Sequence, residues 1–135
     1  MNWQENLVHD SQQIGDLIRE TKRIAVLGIK TEAQSDQPSV YVPLYMQKAG
    51  YEIVPVPVYY PEATEILGQK VYRRLADIPG MIDMVDVFRR PPDIDGHVDD
   101  ILAKKPKSVW FQLGIRNDGA AEILAKAGIK VVQDR

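Results

Sequence analysis

Positively charged side chains follow two apolar segments of this chain, at positions suited to binding an anionic ligand. Lys30 comes shortly after an apolar run that contains a single glycine, Gly28. Arg89 and Arg90 follow a second apolar run, residues 84–88, and two prolines then stiffen the segment. A guanidinium group matches the oxygens of a phosphate and can stack on a base, whereas a lysine supplies a point charge. The residues favour a phosphorylated ligand, although each one alone is also typical of a solvated surface.

Gly28 is a candidate for a phosphate-binding turn after the first strand. A glycine there lets the chain leave the strand sharply and exposes N–H groups near a helix N-terminus. A dinucleotide fingerprint would add two more glycines and an acid about 20 residues further on. The loop at residues 30–38 has no glycine, and the next strand ends on the sequence VPVP at residues 54–57. NAD is therefore disfavoured, and an ordinary turn glycine is an equal alternative.

A third turn, after residues 108–112, repeats this arrangement. Gly114 would let the backbone approach a ligand, while Arg116 is equally suited to a phosphate contact and to a surface role near a helix start. Trp110 and Phe111 are expected to belong to the core.

Groups suited to catalysis are few. His9 and His97 fall on predicted helices, and no Ser-His-acid arrangement or carboxylate pair has a suitable position. Asp83 and Asp86 alternate on a predicted strand and could face a crevice, but capping or edge roles are favoured. The sequence thus predicts a protein that is not an enzyme.

Composition restricts the class of protein. A chain of 135 residues with 44% hydrophobic and 27% charged residues is predicted to form one globular domain. The net charge of −2 gives no basic field for nucleic acid, and the lack of cysteine excludes disulfides and thiolate sites. No apolar run is long enough for a membrane span, and the polar N-terminus is unlike a signal peptide. We expect a cytoplasmic protein without nucleic-acid or membrane partners, and homo-oligomerisation stays open.

Strand-like and helix-like segments alternate along the chain. Strands are predicted at residues 23–28, 51–56, 70–72, 84–88, 108–112 and 130–132, the last at an edge. Helices are predicted at residues 3–21, 42–49, 95–104 and 118–127, with a helical turn at 75–78. Asp93 or Asp95 would cap the third helix, and Ser39 is an alternative start for the second, although Pro43 would then lie a turn too deep. The alternation predicts an α/β Rossmann-like fold of three layers, with a mostly parallel sheet of five or six strands.

Several segments together resemble a known family. From about Lys22 to Arg135, the motifs IAVLGIK, YVPLYMQKAGYEIVPV, ILGQKVY, LADIPGMIDMVDVFRRPPD, VWFQLGIRN and AGIKVVQDR are similar to small stand-alone coenzyme A-binding proteins. These are relatives of the N-terminal domain of the succinyl-CoA ligase α subunit. Relatives usually continue past the Asp-Arg pair with a cysteine and a short tail.

The resemblance implies that residues 1–135 form one domain that binds coenzyme A, with residues 1–21 as a helix packed on the sheet. The first loop would hold the pyrophosphate, and the loops after the fourth and fifth predicted strands would flank the nucleotide and the pantetheine. Carried over to this sequence, the implied cofactor-binding residues are Gly28, Ile29, Lys30, Ser39, Tyr41, Val56, Phe88, Arg89, Arg90, Gln112, Leu113 and Gly114. The histidine and acyl-transfer site of the ligase lie outside this domain, so the resemblance implies binding without catalysis.

Three hypotheses follow. The first is a non-catalytic binder of coenzyme A or an acyl-CoA, acting as a carrier, sensor or regulator. The second is an enzyme that acts on a CoA thioester or another nucleotide. The third is a Rossmann-like interaction module without a ligand, which the charged loop at residues 30–37 supports.

Overall fold

A five-stranded parallel sheet lies between two layers of helices in the computed structural model, which describes residues 2–135. The strands are β1 (Arg23–Leu27), β2 (Glu52–Val56), β3 (Glu65–Ile66), β4 (Gln69–Lys70), β5 (Met84–Val87), β6 (Ser108–Phe111) and β7 (Lys130–Val132). The helices are α1 (Ser11–Glu20), α2 (Pro38–Lys48), α3 (Val98–Lys104) and α4 (Asp118–Lys126). The predicted three-layer Rossmann-like fold is confirmed.

The order of the strands places a crevice at one edge of the sheet. The main sheet runs β2-β1-β5-β6-β7, and every neighbouring pair is parallel. The chain therefore goes outward from β1 to β2, returns past β1 to β5 and continues outward on the other side. At such a reversal the loops after the two central strands diverge, and ligands bind between them.

Alternate residues of each strand face different helices. On one face, Ala25 and Leu27 of β1 belong to a buried cluster with residues of α3 and α4. On the other face, Ile24 and Val26 pack in a cluster with residues of α1. Both faces are apolar because helices cover both, which explains why the strands read as continuous hydrophobic runs.

The N-terminal helix is shorter than the predicted range of residues 3–21. It begins at Ser11, where the side chain of Asp10 accepts a hydrogen bond from the N–H of Gln13 at 3.0 Å. The N–H of Val8 donates instead to the carbonyl of Val131 at 2.9 Å, so this part of the chain lies along β7. Apolar spacing suggested one long helix, but pairing with the edge of the sheet overrides it and covers that edge.

Helix α2 extends further toward its N-terminus than the predicted residues 42–49. Pro38 occupies its first turn and Pro43 lies inside it. A proline leaves the carbonyl four residues earlier without its helical donor, here that of Ser39. That carbonyl accepts from the N–H of Lys30 at 3.4 Å, which ties the loop after β1 to the helix.

The other differences are local. Strands β3 and β4 form a separate antiparallel hairpin, in place of the single strand predicted at residues 70–72. A 3₁₀ segment, Pro91–His97, precedes α3, so neither Asp93 nor Asp95 caps that helix. Within residues 2–135, no helix has the length and apolar character that crossing a membrane requires.

Candidate functional site

A cleft of about 720 Å³ lies beyond the carboxyl ends of β1, β5 and β6, beside the first turn of α2. This volume is within the range of pockets that hold cofactors. Most of the residues predicted to bind a cofactor line it, namely Lys30, Ser39, Tyr41, Phe88, Arg89, Arg90, Gln112, Leu113 and Gly114. The strand ends thus bring together residues that are far apart in the sequence.

Three predicted residues lie behind the wall of this cleft. Ile29 and Val56 are each 1% exposed, so their side chains belong to the core. The N–H of Gly28 donates to the carbonyl of Val56 at 2.9 Å and is not free to bind a phosphate. A β-carbon on Gly28 would lie 2.3 Å from the carbonyl oxygen of Phe88. Gly28 is therefore needed for the close approach of the two loops.

The charge of the cleft differs from that of the whole molecule. Its described lining residues include the cations Lys30, Arg89, Arg90 and Arg135, and none of them is an aspartate or glutamate. The chain as a whole carries a formal charge of −2. Clustered cations between low-dielectric walls raise the local concentration of anions. The cleft is thus electrostatically suited to a polyanion.

The two neighbouring arginines have different surroundings. Arg89 has only 15% of its side chain exposed, lies over the ring of Tyr59, and donates through Nε to His97 Nε2 at 3.2 Å. Arg90 has 81% of its side chain exposed and its Nε lies 3.0 Å from Asp93 Oδ2. Arg89 is held in place by its neighbours, whereas Arg90 is exposed and would exchange Asp93 for a ligand, or share it, by turning at the surface.

His97 supports the position of Arg89. Burial, followed by the charge of Arg89, lowers the pKa of His97. A neutral ring can accept a hydrogen bond, whereas a protonated ring cannot. The histidine therefore acts as an acceptor that orients the guanidinium.

Lys30 lies at the start of α2. Its Nζ bonds to the side-chain oxygen of Gln37, the residue before the helix. Gln37 makes no side-chain capping bond to the helix, and Pro38 has no N–H to be capped. The positive end of the helix dipole and a lysine ammonium therefore meet at one wall of the cleft.

A residue that was not predicted from the sequence joins two loops of the cleft. Asn117 Nδ2 donates to the carbonyl of Pro91 at 2.9 Å and to Asp95 Oδ1 at 3.0 Å. Its Oδ1 accepts from the N–H of Ala120 at 3.0 Å and caps α4. The asparagine directly before a predicted helix signalled the cap, but nothing in the sequence signalled the bond to the loop after β5.

The loop after β6 is held by the end of the chain. The N–H of Gly114 donates to Asp134 Oδ1 at 2.6 Å, and the φ of Gly114 is +83°. A β-carbon there would meet nothing within 4 Å, so this glycine is needed for its backbone conformation alone. Arg116 pairs with Asp118 at 3.0 Å and is not among the cleft residues, which supports its surface interpretation.

A second, apolar pocket of about 330 Å³ adjoins the cleft. It lies between α1 and α2 over β5 and β6, and Val42, Gln112 and Arg135 line both spaces. Asp86 of β5 faces this pocket, 1% exposed, and its Oδ1 accepts from Gln112 Nε2 at 2.5 Å. Within residues 2–135, Asp86 Oδ2 is the one buried side-chain oxygen or nitrogen that has no hydrogen-bond partner.

The two strand aspartates therefore have different roles. Asp83 accepts from the N–H groups of Lys22 and Arg23 and pairs with Lys107, in agreement with an edge role. Asp86 has neither a capping nor an edge role, because it occupies the middle of a central strand. Burial, only partly offset by the bond from Gln112, raises its pKa to about 7.

No group of three or more metal-binding side chains is found among residues 2–135. The polar side chains that line the cleft are cations, amides and the hydroxyls of Ser39 and Tyr41, which suit the recognition of an organic polyanion.

Comparison with known proteins agrees with this geometry. The sequence profile of a family described as a CoA binding domain matches residues 22–135. The uncharacterized protein YneT of Bacillus subtilis (strain 168) is 37% identical over 122 residues, which are 90% of this chain and 87% of that protein. A solved structure from Thermus thermophilus is 35% identical with a TM-score of 0.85, over 94% of this chain and 92% of that chain. A hypothetical protein from Pyrococcus horikoshii OT3 is 31% identical with a TM-score of 0.83, over 94% of this chain and 86% of that chain.

The profile covers the loops after β1, β5 and β6 that form the cleft, and all five strands of the main sheet. The resemblance stated from the sequence motifs is thereby confirmed, and the chain belongs to the CoA-binding domain family.

Proposed function

We propose that this protein binds coenzyme A or an acyl-CoA in the cleft without catalysing a reaction, as a carrier, sensor or regulator. The observation that carries the proposal is a cleft lined by four cationic side chains and by no aspartate or glutamate, in a chain of the CoA-binding domain family. Coenzyme A carries a pyrophosphate, a ribose phosphate and a base at one end and a flexible pantetheine thiol at the other. The cleft offers a chemical counterpart for each of these parts.

The phosphates would lie between α2 and the loop after β5. Lys30 and the first turn of α2 supply positive charge on one side, and Arg90 supplies an exposed guanidinium on the other. Phe88 and Arg89 offer flat surfaces for the base. The pantetheine would then extend along Gln112, Leu113 and Gly114 toward the apolar pocket.

Calorimetric titration of the purified protein with coenzyme A tests the proposal. We expect binding by the wild type and a loss of about tenfold or more in affinity for Arg90→Ala, because a charge-assisted bond to phosphate is lost. Arg116→Ala is the matched control, since it removes an exposed arginine that pairs with Asp118 outside the cleft. No binding at about millimolar coenzyme A by folded protein would contradict the proposal.

An enzyme that acts on a CoA thioester is the second candidate. Asp86 favours it, because a carboxyl with a pKa of about 7 is suited to proton transfer near neutral pH. Release of free thiol from acyl-CoA substrates, absent in Asp86→Asn, would support this candidate over the non-catalytic one.

A further inference from the structure

In the proposed binding mode, the phosphates and the base of coenzyme A would lie in the cleft and leave the apolar pocket between α1 and α2 empty. Its lining is mainly aliphatic and aromatic, and includes Ile18, Ile24, Met46, Met84 and Trp110. It shares Val42, Gln112 and Arg135 with the cleft, so the two spaces are continuous. A ligand whose polar end lies in the cleft can therefore extend an apolar end into the pocket.

Most polar groups at this pocket already have partners. Thr21 Oγ1 donates to the carbonyl of Leu17 at 2.7 Å, and Tyr51 OH lies 3.4 Å from the carbonyl of Ile18. Asp86 differs, because Gln112 bonds only its Oδ1. A buried carboxyl oxygen without a partner is costly, so its position in a ligand-sized pocket points to a partner on a ligand.

We propose that this pocket receives the acyl group of a CoA thioester, and that it selects an acyl group with a hydroxyl that bonds to Asp86 Oδ2. The inference rests on the proposed function, since the thioester would be delivered by coenzyme A bound in the cleft. The mainly apolar lining favours an uncharged acyl chain, because burial of a charged group is costly and Arg135, the one cation among the described lining residues, also lines the cleft.

A hydroxyl is the group that fits Asp86 best. It can donate to the ionised carboxylate and accept from the protonated acid. Because the pKa of Asp86 is about 7, both forms are present near neutral pH, and a hydroxyl satisfies Oδ2 in each. An ammonium would suit the ionised form alone, and a carbonyl would suit the protonated form alone.

The test compares three ligands by calorimetry, namely coenzyme A, butyryl-CoA and 3-hydroxybutyryl-CoA. We expect the hydroxylated thioester to bind about tenfold more tightly than butyryl-CoA, as for one hydrogen bond to a buried carboxyl group. Asp86→Leu, which keeps the size and removes the oxygens, should abolish this preference, measured as the ratio of the two thioester affinities within the variant, because loss of the bond to Gln112 changes the affinity for all three ligands. Thermal unfolding followed by circular dichroism verifies that each variant is folded.

A second variant blocks the pocket without touching the cleft. Ile18 lines the pocket but not the cleft and is 38% exposed, so Ile18→Trp can fill the space from the side of α1. This variant should weaken both thioesters and leave coenzyme A unaffected.

The outcomes separate the two proposals. Failure of coenzyme A itself to bind overturns the proposed function. Binding of coenzyme A with no preference for the hydroxylated thioester overturns the acyl-pocket inference alone. The acyl-pocket inference is also overturned if the preference survives in Asp86→Leu, or if the binding of both thioesters is unchanged in Ile18→Trp.

Discussion

Gly28 and Arg90 illustrate what single residues contribute to the cleft and how far each could be predicted. Both were singled out from the sequence as ligand contacts. Arg90 is exposed at the cleft, whereas the N–H of Gly28 is already bonded to Val56. The sequence could not distinguish these cases, because the atom that makes Gly28 necessary is the carbonyl oxygen of Phe88, directly after β5.

Gly28→Ala should be far more harmful than an ordinary glycine substitution. The φ of +89° would strain any side chain, and the new β-carbon would also press on the carbonyl of Phe88, separating β1 from β5. We expect a loss of roughly 3 kcal/mol or more in the free energy of unfolding, measured with urea.

Gly50→Ala is the control for the strain alone. Gly50 has a φ of +105°, and a β-carbon there meets nothing within 4 Å. Gly50→Ala should lower the free energy of unfolding by about 1–2 kcal/mol. Equal losses for the two variants would show that the close contact with Phe88 does not matter.

At the scale of elements, the cleft depends on loops that are tied to one another rather than on any one strand. Asn117 connects the turn before α4 to the loop after β5. The carbonyl of Ser39 connects α2 to the loop after β1. These ties restrict the loops before a ligand arrives, so less conformational entropy is lost on binding.

Substitutions of Asn117 can separate its bond to the loop after β5 from its capping of α4. Asn117→Ala should lose both and destabilise the protein by about 1–2 kcal/mol. Asn117→Ser keeps a capping oxygen but is too short to bond the loop after β5. We therefore expect Ser to retain most of the stability, measured by urea unfolding, while the affinity for coenzyme A falls in both variants. An affinity that is unchanged in Asn117→Ser would mean that the tie has no part in binding.

The strands at the centre of the sheet were easier to predict than the N-terminal segment and the start of α2. The runs that form β1, β5 and β6 are mostly apolar, and a buried parallel strand leaves few alternatives. Residues 3–10 have helical spacing, yet Trp3–Asn6 form only a 3₁₀ turn and Leu7 and Val8 pair with Val131, an edge residue more than a hundred positions away. Pro43 misled the prediction for α2 because a proline inside a helix is tolerated only when its freed carbonyl finds another donor.

At the scale of the whole molecule, charge is distributed unevenly. Acidic groups outnumber basic ones in the chain, yet the described lining of the cleft has four cations and no aspartate or glutamate. Asp93 and Asp134 contact residues of this lining, but neither lines the cleft itself. One carboxyl, that of Asp86, is buried in the sheet instead. In the sequence, Asp86 is a single polar residue in an otherwise apolar strand. The pocket between α1 and α2 that it faces can be recognised only in the folded structure.

Asp86 should make the stability of the protein depend on pH. Its pKa is about 7 in the folded state against an ordinary value of 3.8, so between these values the folded protein keeps a proton that the unfolded chain has released. Stability should therefore fall as pH rises from about 4 to about 7 and then level off, by roughly 4 kcal/mol in all. The other titratable or charged side chains that line the pocket with Asp86 are those of Tyr45, Tyr51 and Arg135.

The measurement is urea unfolding of the wild type and of Asp86→Asn across this pH range. Asn cannot titrate, so the variant should gain stability relative to the wild type as the pH increases. The lowered pKa values of Asp83 and His97 affect both proteins alike and cancel in the difference. Parallel curves would refute the assignment of the raised pKa to Asp86.

Replacement of Pro43 is expected to change the stability of α2 and the ligand-binding loop in opposite directions. Replacing a proline inside a helix is a common route to a more stable protein, because it restores a hydrogen bond within the helix. Here the restored N–H would compete for the carbonyl of Ser39, which holds the backbone of Lys30. A gain in stability at α2 would thus loosen the loop beside the cleft, and selection for binding would keep the less stable helix.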